Sequence, residues 1–352
     1  MSRPTTGSRP PGGQQPSRPT ISDIARRAGV SKGAVSFALN GRPGVSESTR
    51  ARILAVAEEM NWRPHRAAAA LGGARADAVG LVLARAARTL GVEPFFGQLL
   101  SGLQAELSAH AIAVQLLIVE DTDAEIETYR RWASEHRVDG LVLVDLKVRD
   151  PRIAVVEQLK IPAVVVGGPG DHGQIPSVWA DDRAAMLALV EYLAALGHRR
   201  IAHVSGLPQF QHTQRRAQAL REVSERLGLE QALSLHTDFS DTEGATTTRR
   251  LLSGHPRPTA IVYDSDLMAL AGLGVATEMG VAVPGELSIA SFDDSVLTRL
   301  THPAITALSR DTYDFGVQAA RVLLAGIAEP ATVTDLQTET PRLTVRESTA
   351  RP

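Results

Sequence analysis

The spacing of hydrophobic residues changes near residue 78, and the change divides the chain into two parts. Before it, residues 20–60 carry apolar positions three and four apart in three short runs, which is the spacing of amphipathic helices. After it, short apolar runs of strand length alternate with longer stretches of helical spacing. Such alternation predicts parallel β-sheets wrapped by helices. The pattern therefore predicts an α/β protein with an all-α head at its N-terminal end.

The second part contains enough alternating segments for two successive sheets. The first set has predicted strands at 79–84, 113–119, 139–144 and 162–167, with helices near 96–109, 123–136 and 150–159. The second set has strands at 200–206, near 234–236, 259–264 and 286–294, with helices at 182–196, near 213–227, 242–253 and 266–279. Because ligands of such folds sit at the carboxyl ends of the strands, two lobes predict a binding cleft between them.

Capping residues mark the ends of the predicted head helices. Thr20 and Asp23 form a capping box at the start of the first helix, and Gly29 can take the left-handed conformation that ends it. Ser31 and Ser46 are predicted to cap the second and third helices. Two short helices joined by a tight turn, with a third closing a small core over them, predict a helix-turn-helix that inserts its second helix into the DNA major groove. For the turn alone, an ordinary αα-hairpin is the alternative.

The segment after the third helix makes DNA binding the stronger interpretation. Residues 61–73 read NWRPHRAAAALGG, a run that has an early proline, is rich in alanine and ends at two glycines. A helix of less than two turns is not stable alone, so it would form only against a partner. Alanine and leucine are residue types that lie against the minor groove and insert between base steps. The segment therefore predicts a hinge helix that folds on DNA.

The charge distribution agrees with this placement. Residues 1–78 contain twelve Arg and Lys against five Asp and Glu, whereas the whole chain carries a formal net charge of −2. Counterion release from the phosphates would favour DNA binding by the basic head, and the acidic remainder would be repelled. Residues 1–19 are rich in Pro, Gly, Ser, Thr, Gln and Arg, which predicts a disordered tail and not a signal peptide.

Composition argues against several other classes of function. The 352 residues include no cysteine, which excludes disulfides, thiolate metal sites and cysteine catalysis, and no run reaches transmembrane length. The ten histidines lack metal-binding spacing, and the common hydrolase and phosphate-binding motifs are absent, so we expect no enzyme activity, metal or cofactor. A cytoplasmic protein is the simplest interpretation. The alternatives are a solute-binding protein without a regulatory role, which needs a signal peptide, and an enzyme on a sugar-binding fold.

The run from Thr20 to Leu71 closely resembles the DNA-binding end of the lactose/galactose-repressor family of bacterial transcription regulators. Further stretches resemble the same family's effector-binding core, which is built like a periplasmic sugar-binding protein: VDGLVLV (138–144), LGHRRIAHVSG (196–206), TQRRAQAL (213–220), 265–294 and 303–324. The resemblance implies a repressor whose operator affinity is controlled allosterically by a small ligand, a sugar or related metabolite, bound between two lobes. It also implies a homodimer on a pseudo-palindromic double-stranded DNA operator, with no membrane partner.

The same resemblance implies the domain organisation. A disordered tail (1–19) precedes the helix-turn-helix domain (20–64), and a hinge helix with its linker (65–77) leads into a core (78–352) that binds the effector and forms the dimer. In that fold the chain crosses between the lobes three times. Lobe 1 is therefore expected at about 78–178 and 310–337, and lobe 2 at about 179–309 and 338–348.

The resemblance implies DNA contacts from the head and the hinge. The residues expected at the DNA are Thr20, Ser31, Lys32, Gly33, Ala34, Ser36, Phe37, Asn40, His65, Arg66, Ala68 and Leu71. Leu71 is the expected wedge in the minor groove. Many members have a guanine-binding arginine where this chain has Phe37, and Gly33 offers no side chain where a base reader often lies. The preferred operator is therefore expected to differ, with Lys32 as the obvious polar base reader.

The resemblance also implies a set of cleft residues for the effector: Phe95, Phe96, Asp181, Arg216, Phe239, Ser265 and Asp293. Asp293, at the end of a strand, would accept hydrogen bonds from ligand hydroxyls, and Arg216 would donate to ligand oxygens with its planar guanidinium. An Asp at a strand end can instead be only a helix cap, and Phe96 and Phe239 can be plain core residues. Asp182 and Asp294, the second members of their pairs, are expected to be structural.

Overall fold

The computed structural model describes residues 19–62, 75–85, 91–329 and 333–352. The chain divides into two compact units, Met1–Ala74 (the head) and Arg75–Pro352 (the core). The described part of the head is built from helices, whereas the core contains two six-stranded sheets connected through helices. The predicted α/β class with an all-α head is confirmed.

The head contains three helices in its described part, α1 (Ile21–Ala28), α2 (Lys32–Leu39) and α3 (Glu47–Glu59). The backbone nitrogen and Oγ1 of Thr20 donate to the Asp23 carboxylate at 2.9 and 2.7 Å, and Gly29 ends α1 with a φ of 67°. Ser31 and Ser46 each accept a hydrogen bond from a backbone N–H three residues further on, at 3.2 and 3.4 Å. The four capping predictions are therefore confirmed.

Small apolar side chains allow the three head helices to approach closely. The buried core of the head consists of Ile24, Ala25, Ala28, Val35, Ala38, Ile53 and Ala57. Arg50 of α3 adds a polar connection, because its guanidinium donates to the carbonyl oxygens of Ala38 at 3.0 Å and Arg42 at 2.8 Å. The last carbonyls of a helix have no partner within it, so these bonds stabilise the end of α2 and fix α2 against α3.

Lobe 1 of the core is a parallel sheet with four helices assigned to it. Its strands are β1 (Ala78–Leu83), β2 (Ala113–Ile118), β3 (Gly140–Leu143), β4 (Ala163–Val166), β5 (Ser177–Trp179) and β11 (Leu336–Gln337). Its helices are α4 (Pro94–Ala109), α5 (Thr122–Ser134), α6 (Pro151–Leu159) and α12 (Thr312–Ala328). The strand order is β11-β5-β4-β3-β1-β2, and the pairs are parallel, as the alternating pattern predicts.

Lobe 2 repeats this plan with one antiparallel edge strand. Its strands are β6 (Arg200–Ser205), β7 (Gln231–His236), β8 (Ala260–Tyr263), β9 (Ser288–Ser291), β10 (Thr306–Ser309) and β12 (Arg342–Thr344). Its helices are α7 (Asp182–Leu196), α8 (Gln211–Leu227), α9 (Asp241–Ser253), α10 (Asp266–Glu278) and α11 (Val296–Leu300). The strand order is β12-β10-β9-β8-β6-β7, and β12 runs antiparallel to β10.

The described core chain passes between the two lobes three times. It first enters lobe 2 between β5 and α7. After β10 it returns to lobe 1, where α12 packs across α4 and β11 pairs with β5. It re-enters lobe 2 where β12 pairs with β10. The segment after β10 thus connects both lobes, and side chains at this crossing can contact either of them.

Two glycines set the close contact between α4 and α12. A Cβ on Gly102 would lie 1.9 Å from the backbone oxygen of Tyr313, and a Cβ on Gly316 would lie 2.3 Å from that of Leu99. We expect Gly102→Ala to lower the free energy of unfolding of the core by about 1–3 kcal/mol, because the helices must move apart. Denaturant titration of the purified chain measures this loss.

Gly97→Ala is the matched control on the same helix. No atom lies within 4 Å of a Cβ at Gly97, and alanine is the better helix former, so this variant should be neutral or stabilising by up to about 1 kcal/mol. Equal destabilisation by the two substitutions would show that the helix crossing at Gly102 tolerates a side chain.

Candidate functional site

A cavity of about 90 Å³ lies between the two lobes of the core, where the strands of both sheets end. Asp145 follows β3 in lobe 1, while Ser265 and Asp293 follow β8 and β9 in lobe 2. Of the effector residues predicted from the sequence, the structure brings six to this cavity: Phe95, Phe96, Arg216, Phe239, Ser265 and Asp293. Asp181 is the predicted residue that does not line it.

Asp293 lies at the cavity wall in an ion pair with Arg310. Nη2 of Arg310 donates to Oδ1 of Asp293 at 2.9 Å, and Nη1 lies 3.7 Å from Asp182. The guanidinium of Arg310 also stacks over the ring of Phe95, 5.0 Å from its centre. Burial raises the pKa of Asp293, although Arg310 and Arg216 oppose this shift. The carboxyl group of Asp293 lines the cavity, where it can form hydrogen bonds with a ligand.

Arg216 is held in place by two carboxylates and an aromatic ring. Its Nη2 donates to Asp182 at 3.0 Å, its Nη1 donates to Asp264 at 3.2 Å, and its guanidinium lies 3.6 Å from the centre of the Phe292 ring. Burial alone would raise the pKa of Asp264, but His203 and Arg216 hold it below its usual range. Most donors of the guanidinium are thus occupied by hydrogen bonds within the protein. The group lines the cavity in an orientation that these bonds fix.

Aromatic rings supply the apolar part of the cavity wall. Phe95 and Phe96 belong to α4 in lobe 1 and pack edge to face, with ring centres 5.3 Å apart. Phe239 faces them from lobe 2 with a backbone φ of 70°. A Cβ on Gly206 would lie 1.8 Å from Cζ of Phe239, so only glycine at this position leaves room for the ring. Rings on both sides can cover the apolar faces of a flat ligand.

Asp181 and Asp182 exchange the roles that the sequence predicts for them: the structure places Asp182, and not Asp181, at the cavity. Asp181 is the N-cap of α7, and its carboxylate accepts from the backbone nitrogen of Ala184 at 2.9 Å. Asp182 instead pairs with Arg216 and lines the cavity. The cap position turns the first carboxylate back towards the helix, which leaves the second for the cavity. Asp294, by contrast, accepts hydrogen bonds from Ser309 and Arg346, as expected for a structural residue.

The sequence interpretation missed several ionisable residues of the cavity: Arg85, Glu93, Asp145, His212, Arg215, Asp266 and Arg310. Arg85, Asp145 and Arg310 come within two residues of the ends of β1, β3 and β10, so the strand-end rule could have found them. Burial raises the pKa of Glu93 to about 7, and burial raises the pKa of Asp266 to about 6. Burial lowers the pKa of His212 to about 4.

The predicted DNA residues of the head lie on the accessible side of the helices. Lys32, Gly33 and Phe37 are exposed on α2, while Ala34 and Ser36 are half-buried beside them. Ser31 and Thr20 are exposed and cap α2 and α1, and Asn40 donates to the backbone oxygen of Ser36 at 2.8 Å. The predicted hinge residues His65, Arg66, Ala68 and Leu71 lie outside the described residues.

Within residues 19–62, 75–85, 91–329 and 333–352, no group of three or more His, Cys, Asp or Glu side chains could hold a metal ion. Among the described helices, none has both the length and the apolar character needed to cross a membrane.

Comparison with known proteins identifies the family. Residues 20–65 match the family model "Bacterial regulatory proteins, lacI family", and residues 190–349 match a periplasmic binding protein-like domain. The chain is 32% identical to the HTH-type transcriptional regulator AglR of Rhizobium meliloti (strain 1021) over 339 residues, 94% of each protein.

Solved structures agree with this identification. A LacI family transcriptional regulator from Bifidobacterium animalis subsp. lactis DSM 10140 is 36% identical, with a TM-score of 0.72 over 79% of this chain and 99% of that one. The structure of the transcriptional regulator CelR with cellobiose is 30% identical, with a TM-score of 0.72 over 94% of this chain and 100% of that one. The chain belongs to the lacI family of DNA-binding bacterial transcriptional regulators.

Proposed function

We propose that the chain is a repressor whose operator affinity is set by a sugar bound in the cavity between the core lobes. The observation that carries this proposal is the cavity lining, in which phenyl rings from both lobes line the same cavity as the Asp293–Arg310 ion pair. The weakly polar faces of a pyranose fit against such rings, while its hydroxyls can bond to the carboxylate and the guanidinium. The related CelR structure contains cellobiose, a ligand of this kind.

The charges of the lining favour an uncharged polar ligand. Four arginines (Arg85, Arg215, Arg216 and Arg310) face five carboxyl groups (Glu93, Asp145, Asp182, Asp266 and Asp293). Burial keeps the pKa of Glu93 near 7, so the two signs nearly balance at neutral pH. Since most of these groups are already paired within the protein, a strongly charged ligand would have to break existing ion pairs.

The same features favour a regulator over the two alternative functions. The relative AglR carries the name of a transcriptional regulator and extends over the head as well as the core. A solute-binding protein has no use for the helix-turn-helix. Most charged side chains of the cavity are paired with one another, which is not the arrangement of a catalytic nucleophile beside its base. We therefore infer a non-catalytic, cytoplasmic protein that requires no cofactor.

Dimer formation completes the proposed mechanism. One helix-turn-helix reads only a few base pairs, so specific binding requires two copies on a pseudo-palindromic operator. We infer a homodimer, with effector binding in the core changing how the paired heads engage the DNA. Leu71 and its neighbours in the sequence would insert between the half-sites.

A ligand screen tests the sugar proposal. Mono- and disaccharides, with cellobiose included, are added to the purified full-length chain, and the unfolding temperature is measured for each. A binding sugar should raise the unfolding temperature in a concentration-dependent way, because it binds the folded state. If nucleosides or purines stabilise the chain and no sugar does, the proposed ligand class is wrong.

A change of base preference tests the proposed role of Phe37. Its ring is 41% exposed on α2, and it cannot donate a hydrogen bond to guanine. Phe37→Arg should shift the selected operator towards guanine at one half-site position, by about 1–3 kcal/mol of discrimination. Selection from a random DNA library measures the preference of both proteins.

Leu54→Arg is the control for the added charge. Leu54 is 46% exposed on α3, outside the recognition helix, so this variant should strengthen binding to all sequences without changing the consensus. An unchanged consensus for Phe37→Arg as well would remove Phe37 from the set of base readers.

A further inference from the structure

The cavity between the lobes contains a side chain that connects them. Arg85 follows β1 of lobe 1, yet its guanidinium carbon lies 4.6 Å from the centre of the Phe239 ring and 5.5 Å from that of Phe210, both in lobe 2. Within lobe 1 its Nη2 donates to Glu93 at 3.1 Å. Only 8% of the Arg85 side chain is exposed.

We propose that Arg85 is an internal latch, which holds the lobes together when no effector is present and which the effector must displace. The proposal rests on the proposed function, because it takes the ring face of Phe239 as the place where a sugar would bind. Cation–π contacts of a desolvated guanidinium are strong enough to shift the balance between open and closed lobes. The latch would therefore compete with the ligand for the same surface.

Within the described residues, Arg85 forms fewer hydrogen bonds than its guanidinium could donate. Among the described residues, its Nε and Nη1 have no hydrogen-bond partner although both atoms are buried. Nε faces Oδ2 of Asp145 at 3.4 Å, and that oxygen also lacks a hydrogen bond. A buried donor such as Nη1, which has no acceptor among the described residues, weakens this contact between the lobes. A rearrangement that lets water or ligand oxygens accept hydrogen bonds from Nε and Nη1 would offset part of the free energy lost with the ring contact.

Other contacts between the lobes do not involve Arg85. The backbone nitrogen of Val148 donates to the oxygen of Gln209 at 2.9 Å, and that of Gln211 donates to the oxygen of Leu146 at 2.8 Å. These bonds join the loop after β3 to the start of α8. Because they remain when Arg85 is replaced, loss of the latch should open the cleft without separating the lobes completely.

The absence of cysteine from the chain allows a direct measurement of lobe separation. Asp123→Cys on α5 and Thr246→Cys on α9 place one spin label on each lobe at exposed positions. Pulsed electron paramagnetic resonance on the full-length chain without ligand then gives the distance distribution between them. Arg85→Ala should move this distribution to longer distances or broaden it. Arg183→Ala, which removes an exposed ion pair within lobe 2, should leave it unchanged.

Cellobiose binding provides the second readout. Calorimetry should show about tenfold tighter binding to Arg85→Ala than to the parent, because the internal competitor is gone. Weaker binding would overturn the latch and make Arg85 a direct ligand contact, and an unchanged label distance would overturn it as well. If neither protein binds cellobiose, the proposed use of this sugar fails, while the ligand-free distances still decide on the latch.

A second variant separates the latch from simple misfolding. Arg85→Ala leaves the carboxyls of Glu93 and Asp145 without this partner, whereas Arg85→Met with Glu93→Gln and Asp145→Asn removes all three charges and nearly keeps the volume. This triple variant should also open the lobes in the label experiment. Opening in the single variant alone would assign the effect to the isolated carboxylates, and the latch would be wrong.

Discussion

Replacing Arg216 with methionine is expected to lower the free energy of unfolding of the core by about 3–5 kcal/mol, because two buried carboxylates lose the ion-pair partner that they share. Arg216 is only 4% exposed and bonds to Asp182 and Asp264, of which Asp264 is fully buried. Methionine fills the space beside the Phe292 ring but offers no donor. Denaturant titration of the purified chain measures the loss.

Two controls show whether the loss comes from the isolated charges. Arg216→Met combined with Asp182→Asn should recover part of the stability, since one of the two carboxylates that lost Arg216 is gone. Arg249→Met breaks an exposed ion pair with Glu278 and should have little effect, because solvent screens such pairs. If Arg216→Met has an effect as small as that of Arg249→Met, water must solvate the two carboxylates in the variant, and the predicted loss is wrong.

Asp293→Asn is expected to weaken effector binding about 10- to 150-fold, which corresponds to about 1.5–3 kcal/mol for a hydrogen bond to a charged group. Asparagine keeps the shape of the side chain but removes the charge and one acceptor. Asp293 pairs with Arg310, which also faces Asp182, so the guanidinium keeps a nearby carboxylate in the variant. Calorimetry with the sugar found in the ligand screen measures the change.

Asp181→Asn is the matched control in the same lobe. Asp181 does not line the cavity and serves as the N-cap of α7, a position where asparagine is equally good. Its effector affinity should therefore equal that of the parent. Unchanged affinity for Asp293→Asn would remove this residue from the effector site, and loss of operator binding without effector would make it a structural cap.

Local signals made much of the fold predictable from the sequence. The caps at Thr20, Ser31 and Ser46 are hydrogen bonds between residues three apart, so their effect is visible in the sequence alone. Most of the longer strands and helices show their periodicity over enough positions to be predicted. The short elements β5, β10, β11, β12 and α11 are not predicted, because two to five residues cannot display a period and are positioned by their neighbours. The 17-residue helix α12 is not predicted from periodicity either, although it is long enough to display a period.

The cavity was less predictable, because its side chains come from distant parts of the chain. Arg85 bonds to Glu93 in its own lobe but stacks on Phe239 of the other lobe, a contact that no local pattern records. Arg310 lies at a crossing between lobes and pairs with Asp293. Position along a strand therefore indicates that a residue can reach the cleft, but only the assembled lobes determine which charges meet there.

The most direct test of the account is an operator titration with and without effector. Fluorescence anisotropy of a labelled operator, obtained by selection, gives the DNA affinity of the parent and of Asp293→Asn at saturating sugar and without it. We expect an effector-dependent change of about 5- to 150-fold for the parent, equivalent to about 1–3 kcal/mol of coupling. The variant should keep the ligand-free operator affinity and respond only at much higher sugar concentration. If a sugar occupies the cavity and leaves the parent's operator affinity unchanged, the core does not regulate DNA binding, and the account is contradicted.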